Sequence, residues 1–166
     1  MNKRLMHTRL FFPLLSAGLI GLFLVSGSST VSAAANSNSC ALLQPADLSM
    51  LLGKTPIAKP SGGACSWTVT GSSRKLIAAR LRASGPAAEQ AFRGARQSAS
   101  KGGTTTVTDE SGLGDKAFSS LESFGVVIAM LKQGRVLQLQ YWTGTAGTAK
   151  DLSALRPVAK RAIAAF

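Results

Sequence analysis

The stretch that decides the fold is FGVVIAMLKQGRVLQLQYW, residues 124–142. From Gly125 to Leu131 nearly every position is apolar, as in a strand buried on both faces. Gln133-Gly134 then reads as a tight turn. After it, Leu137, Leu139 and Tyr141 alternate with Gln138, Gln140 and Trp142, the period of two that marks a half-buried strand. This is an antiparallel hairpin at the middle of a sheet.

The neighbouring segments fit around it. Upstream, TTTVTDESGLGDKAFSSLES (104–123) reads as a short strand, a glycine turn and another short strand. Before that, GPAAEQAFRGARQSASKGG (85–103) reads as a helix entered through Pro86 and closed by Gly102, with Ala88, Phe92, Ala95 and Ala99 on one stripe. In ACSWTVTG (64–71), Cys65, Trp67 and Val69 point one way. GSSR turns into KLIAARLRA (75–83), where Ile77, Ala79, Leu81 and Ala83 share one face and Leu76, Ala78, Arg80 and Arg82 the other. A first helix starts at Pro45, has Asp47 in its first turn and Leu48, Leu51 and Leu52 on one face, and ends at Gly53. KTPIAKPSGG (54–63) reads as loop. AGTAKDLSALRPVAKRAIAAF (146–166) closes the chain as a helix, with Pro157 expected to kink it or restart it near residue 156. The halves run in a similar order, without an internal sequence repeat.

Each helix has a single apolar stripe and most strands a single apolar face. The expected class is α+β: an antiparallel sheet with the helices packed on one face and water on the other. Arg80, Arg82, Gln138, Gln140 and Trp142 then fall on the open face.

The chain opens MNKRLMHTRLFFPLLSAGLIGLFLVSGSSTVSAAANS. A basic start, an apolar run over Leu10–Val25 and small residues ending in Ala33 to Ala35 form the layout of a cleavable export signal. A permanent anchor would need about 20 apolar residues, more than this run offers. Residues 1–35 are read as the signal, cut after Ala33 or Ala35, and 36–166 as a single exported domain with no remaining membrane span. Removal of the signal takes three of the nineteen Lys and Arg and none of the seven acids, so the net charge drops from +12 to +9. That excess favours anionic neighbours such as an envelope polyanion. The basic residues are spread along the chain, as they also are when charge serves only solubility.

Cys40 and Cys65 are the only cysteines. A lipid-modified cysteine requires a Leu-Ala-Gly-type motif directly against the apolar run. Here Ser37-Asn38-Ser39 precede Cys40, and fourteen residues separate it from Val25. Two cysteines in an exported chain most simply pair with each other. The bridge closes a loop of about 26 residues, worth roughly 3.5 kcal/mol on the chain-entropy estimate.

The run Cys40-Ala-Leu-Leu-Gln-Pro-Ala-Asp-Leu, the pairs Leu52-Gly53 and Cys65-Ser-Trp67, and Gly112-Leu-Gly-Asp115-Lys-Ala-Phe118 before a closing amphipathic helix resemble a family of small bacterial exported proteins and lipoproteins of unknown function. The resemblance spans most of residues 40–166. It implies the same fold and supports the Cys40–Cys65 bridge, and it brings no catalytic residue with it. Gln44 stands where the family pattern has Thr, which weakens the helix cap. The lipid-attachment motif of the family's lipoproteins is missing.

The residues narrow the chemistry. The only histidine, His7, lies in the signal, so the mature chain has no imidazole for Ser-His or Cys-His catalysis and none for zinc. Ser98-Ala-Ser-Lys101 and Ser72-Ser-Arg-Lys75 match a Ser-x-x-Lys spacing, at about the frequency that chance gives in a chain so rich in serine. Gly112-x-Gly114-x-x-Ala117 has the form of a dinucleotide fingerprint but is followed by a strand pattern instead of a helix. Asp109, Glu110 and Asp115 lie close together without the spacing of a calcium loop.

The most informative set is Arg80, Arg82, Gln138, Gln140 and Trp142: directional donors for anionic groups, two amides, and a ring able to stack on a ligand. The expectation is an exported, non-enzymatic domain of the cell envelope, periplasmic or secreted, acting as a binding or accessory module. Its expected partner is an envelope polyanion or another exported protein, with no nucleic acid, cofactor or metal. An inhibitor of another exported protein is the alternative, and a Ser-Lys or carboxylate hydrolase the distant one.

Overall fold

The computed structural model describes residues 39–101 and 106–166, the Arg82 side chain excepted. The expected export signal lies outside the described residues. After a 3-10 turn at Ser39–Leu42, three helices follow, α1 (Pro45–Leu52), α2 (Pro86–Lys101) and α3 (Ala149–Ala164). The strands are β1 (Ile57–Ser61), β2 (Ala64–Thr68), β3 (Lys75–Ser84), β4 (Val107–Glu110), β5 (Lys116–Glu122), β6 (Gly125–Lys132) and β7 (Arg135–Trp142).

The fold is α+β, with one antiparallel seven-stranded sheet in the order β1-β2-β3-β7-β6-β5-β4. Two meanders, β1 to β3 and β4 to β7, join where β3 pairs with β7. The decisive hairpin is central, with Val126 opposite Tyr141, Ile128 opposite Leu139 and Met130 opposite Leu137. Its turn needs Gln133 at φ 50° and Gly134 at φ 66°.

Side-chain parity divides the sheet into two faces. On the first, Trp67, Leu76, Ala78, Ile128, Leu137 and Leu139 are all at or near zero exposure. They form one cluster with Leu48 of α1 and with Leu155, Ala159 and Ala162 of α3. Fully burying an aliphatic side chain of this size contributes about 1.5–3 kcal/mol, so this layer dominates stability. Tyr141 Oη donates to the Leu51 carbonyl at 3.0 Å in this layer, whereas among the described residues the buried Trp67 Nε1 has no partner. Burial pushes the Tyr141 phenol upward from its ordinary pKa. Cys40 and Cys65 are bonded, with Cα atoms 5.0 Å apart, tying the 3-10 turn to β2.

α2 lies on the second face. Ala88 and Phe92 pack on Phe118, Ala129, Leu131 and Val136, whose parity is opposite to that of the first cluster. Phe92 and Phe118 meet edge-on, with centroids 5.3 Å apart. The expectation of helices on one face therefore holds for α1 and α3 and not for α2. The reason is β6 itself: a strand apolar on both sides needs cover on both sides.

One further segment differs from expectation. Residues 57–61, read as loop, form the edge strand β1, exposed at every position. Pro60 is tolerated because an edge strand leaves one row of N–H groups unpaired. α3 runs as one helix through Pro157. Its start is fixed by Thr148, whose Oγ1 accepts from the Asp151 N–H at 3.2 Å while Asp151 Oδ2 accepts from the Thr148 N–H at 3.0 Å.

Candidate functional site

Of the five residues expected on one open face, the four with described side chains are divided between the two faces. Gln138, Gln140 and Trp142 lie on the α2 face. Arg80 pairs with Leu137 and shares its side of the sheet, the α1/α3 side. The cause is the β2–β3 register, which sets Trp67 opposite Leu76 and Cys65 opposite Ala78 and so turns the Leu76 parity into the core. The β3–β7 register then shifts between Arg80 and Ser84. Arg82 falls within that irregular stretch, and its side chain lies outside the described residues.

Arg80 sits against Phe166, its guanidinium carbon 5.0 Å from the ring centroid, with Arg135 at 4.7 Å from the same ring. Arg135 Nη2 donates to the Phe166 main-chain oxygen at 2.6 Å. Burial first, and Arg135 second, push the Arg80 pKa down. Its Nε is buried without a hydrogen-bond partner.

Trp142 is not a free stacking platform. Phe124 stacks on it at 4.1 Å and 24°. The Lys75 ammonium lies 4.2 Å from the indole centroid. A planar ring has two faces, and a stacked ring and an ammonium at such distances take one each.

The α2 face opens at two places, a cleft of about 380 Å³ by Pro86, Glu89 and Leu131 and, toward the other end of the helix, a polar cleft of about 330 Å³. α2 covers the sheet over Phe118 and Val136, and beyond them Gln138, Gln140 and Glu122 are only half-buried. The helix contributes Ala95, Ser98 and Ala99, residues too small to close the gap. The sheet side is lined by Gln138, Gln140, Val127, Ser120 and Glu122, with Phe124 from the β5–β6 turn. Ser120 is buried, and its hydroxyl donates to Glu122 Oε1 at 2.6 Å. The arrangement offers one carboxylate, two amides, a rim hydroxyl and an aromatic ring, within the lower range of small-ligand sites.

The sequence had Gln138 and Gln140 but missed Glu122, Phe124 and Ser98 as their neighbours. A parity signal for Glu122 existed. It follows Phe118 and Ser120 at a period of two along β5, but its side depended on the β5–β6 register, which sets Glu122 opposite Gly125.

The other chemical motifs are tied up elsewhere. No helix starts at Gly112-x-Gly114: the segment turns into β5, and Asp115 Oδ2 accepts from the Gln133 N–H at 2.7 Å. Asp109 pairs with Arg96 at 3.0 Å, and Glu110 pairs with Arg156 at 2.8 Å. Among the described residues no three His, Cys, Asp or Glu gather as a metal site. Ser98 and Lys101 are both exposed on α2, and Ser72 Oγ accepts from the Arg74 N–H at 3.1 Å while Lys75 lies on Trp142. Among the described residues no helix is long and apolar enough to cross a membrane. A scan of family models, a search of curated proteins and a search of solved structures each return no match to this chain.

Proposed function

We propose that this chain is an exported, non-enzymatic domain of the bacterial cell envelope, periplasmic or secreted, that binds a ligand or a partner's side chain in the cleft beneath α2. The observation that carries this reading is the half-covered sheet face. Near its start α2 packs on this face through Ala88 and Phe92, whereas further along the small residues Ala95, Ser98 and Ala99 border a polar cleft with Gln138 and Gln140. The disulfide supports an oxidising compartment. Against a hydrolase, Lys75 faces a ring instead of a serine, and Lys101 is exposed, whereas a catalytic lysine base is normally desolvated.

The proposed kinship with small exported proteins and lipoproteins draws support from the place of its shared residues. Cys40 and Cys65 staple, Trp67, Leu113 and Phe118 are core, and Asp115 fastens a turn. The motifs of that resemblance are thus scaffold, and none of the cleft's polar groups belongs to them. That fits relatives sharing a fold while differing in what they bind.

A second reading, attraction to an envelope polyanion, has its own observation. Arg80 and Arg135 converge on one ring, that of Phe166, and bring two guanidinium groups together. The two readings separate by nuclear magnetic resonance of the exported protein mixed with soluble envelope fraction. The cleft reading expects shifts at Ser98, Gln138 and Gln140 that vanish in Ser98→Trp. Shifts confined to Arg80 and Arg135 would favour the polyanion, and labelling by a serine-reactive probe would contradict a non-enzymatic role.

A further inference from the structure

The cleft has an electrostatic character opposite to that of the molecule around it. The chain carries seven acidic residues against nineteen basic ones, so a carboxylate without a cation is unusual here. Asp47 pairs with Arg161, Glu89 with Lys116, Asp109 with Arg96 and Glu110 with Arg156. Asp115 and Asp151 hold main-chain N–H groups. Among the described residues Glu122 alone does neither, and its partner there is the neutral hydroxyl of Ser120. It lies half-buried in the cleft, whose lining also includes the carbonyl-bearing amides of Gln138 and Gln140 and the ring of Phe124.

Those groups share one complement. A carboxylate and amide oxygens accept hydrogen bonds, and an aromatic ring attracts a cation to its face. The Phe124–Trp142 stack already carries an ammonium on its Trp142 side, that of Lys75 at 4.2 Å. An anion entering the cleft would meet Glu122, and the described lining holds no Lys or Arg to offset it. We propose that the cleft takes an alkylammonium or alkylguanidinium group, with Glu122 as its counter-ion and Gln138 and Gln140 completing its hydrogen bonds. The group comes from a free small amine or from a basic side chain of a partner peptide. The volume of about 330 Å³ suits a group of that size. This rests on the cleft being the binding site.

The test is a set of separate titrations of the exported protein, followed by amide and side-chain NMR shifts. The ligands are butylguanidine, butylamine, neutral butylurea, anionic butyrate and the blocked tripeptide acetyl-Gly-Arg-Gly-amide. The expected result is saturable, millimolar-range shifts at Ser98, Gln138 and Gln140 with the two cations, and none with butylurea or butyrate. Glu122→Gln, which keeps the shape and removes the charge, weakens cation binding about tenfold or more. Tighter binding of the tripeptide than of butylguanidine assigns the group to a partner chain, and equal binding assigns it to a small amine. If butylurea or butyrate binds as well as the cations, or Glu122→Gln binds them undiminished, the charge assignment falls while the cleft reading stands. If no ligand of any class moves the cleft residues, both fall.

Discussion

Arg156 of α3 grips Glu110 of β4 with two parallel hydrogen bonds, Nε to Oε2 at 2.9 Å and Nη2 to Oε1 at 2.8 Å. The Glu110 side chain is only 8% exposed, and Ser119 Oγ adds a third bond at 2.7 Å. This clamp ties α3 to the β4 edge of the sheet. The Arg156 bond is the main cause that holds the Glu110 carboxyl below its usual range. A carboxyl whose folded pKa is depressed stabilises above its unfolded value, about 4.3, and loses that contribution as pH falls through the folded pKa. Urea unfolding of the wild type is therefore expected to weaken progressively below about pH 4. Arg156→Ala lowers stability at neutral pH by roughly 1–3 kcal/mol, because it leaves a mostly buried carboxylate without its cation, and flattens that acid slope. An unchanged slope contradicts the clamp.

The staple makes a separate prediction. Cys40→Ser with Cys65→Ser frees the 3-10 turn from β2, where Cys65 is fully buried. The loss is expected near 3.5 kcal/mol, a large share of what a domain of this size has. Matched urea curves with and without reductant measure it. A wild-type curve indifferent to reductant would show that the bridge carries little.

Trp142 acts through its neighbours inside the sheet. Removing it as Trp142→Ala costs one stacked ring at 4.1 Å and one ammonium contact at 4.2 Å, together about 1–3 kcal/mol with the lost burial. Thermal melting should register that loss. A Trp142→Ala protein of wild-type stability would mean that the stack does not persist in solution.

Gly112 and Gly114 separate backbone strain from collision. Both have positive φ, 72° and 83°. A Cβ at Gly112 meets open space, while one at Gly114 lies 2.5 Å from the Leu131 carbonyl oxygen, which already accepts from the Asp115 N–H at 2.8 Å. Gly112→Ala is expected to cost about 1 kcal/mol and Gly114→Ala at least about 1 kcal/mol more. Equal losses in denaturant titrations would contradict the close approach of this turn to β6.

The sequence was most readable where a pattern depended on a single neighbour. The alternation of Leu137, Leu139 and Tyr141 and the continuous apolar run of β6 placed the central hairpin correctly, and the cysteine pair held. Where a pattern leaves the choice of face open, it misled. The stripe Ala88, Phe92, Ala95, Ala99 fits either side of a sheet, and only β6, apolar on both, hinted that α2 must take the second. In β3 both parities are apolar at Leu76-Ile77-Ala78-Ala79, so Arg80 was turned outward when the partner strand β2 turns it in. β1 has every side chain exposed and a proline, which removes the alternation by which strands are read. Glu122 could be placed only once its strand register was known.

The account's central claim, an exported and disulfide-stapled domain whose chemistry lies in its cleft, is tested most directly by the intact mass of the exported protein before and after reduction and alkylation. The account predicts a chain starting after Ala33 or Ala35, two hydrogens light until reduced. A chain starting at Cys40 and carrying acyl groups would contradict it, since Cys40 could then not bridge to Cys65 and the domain would be tethered to a bilayer.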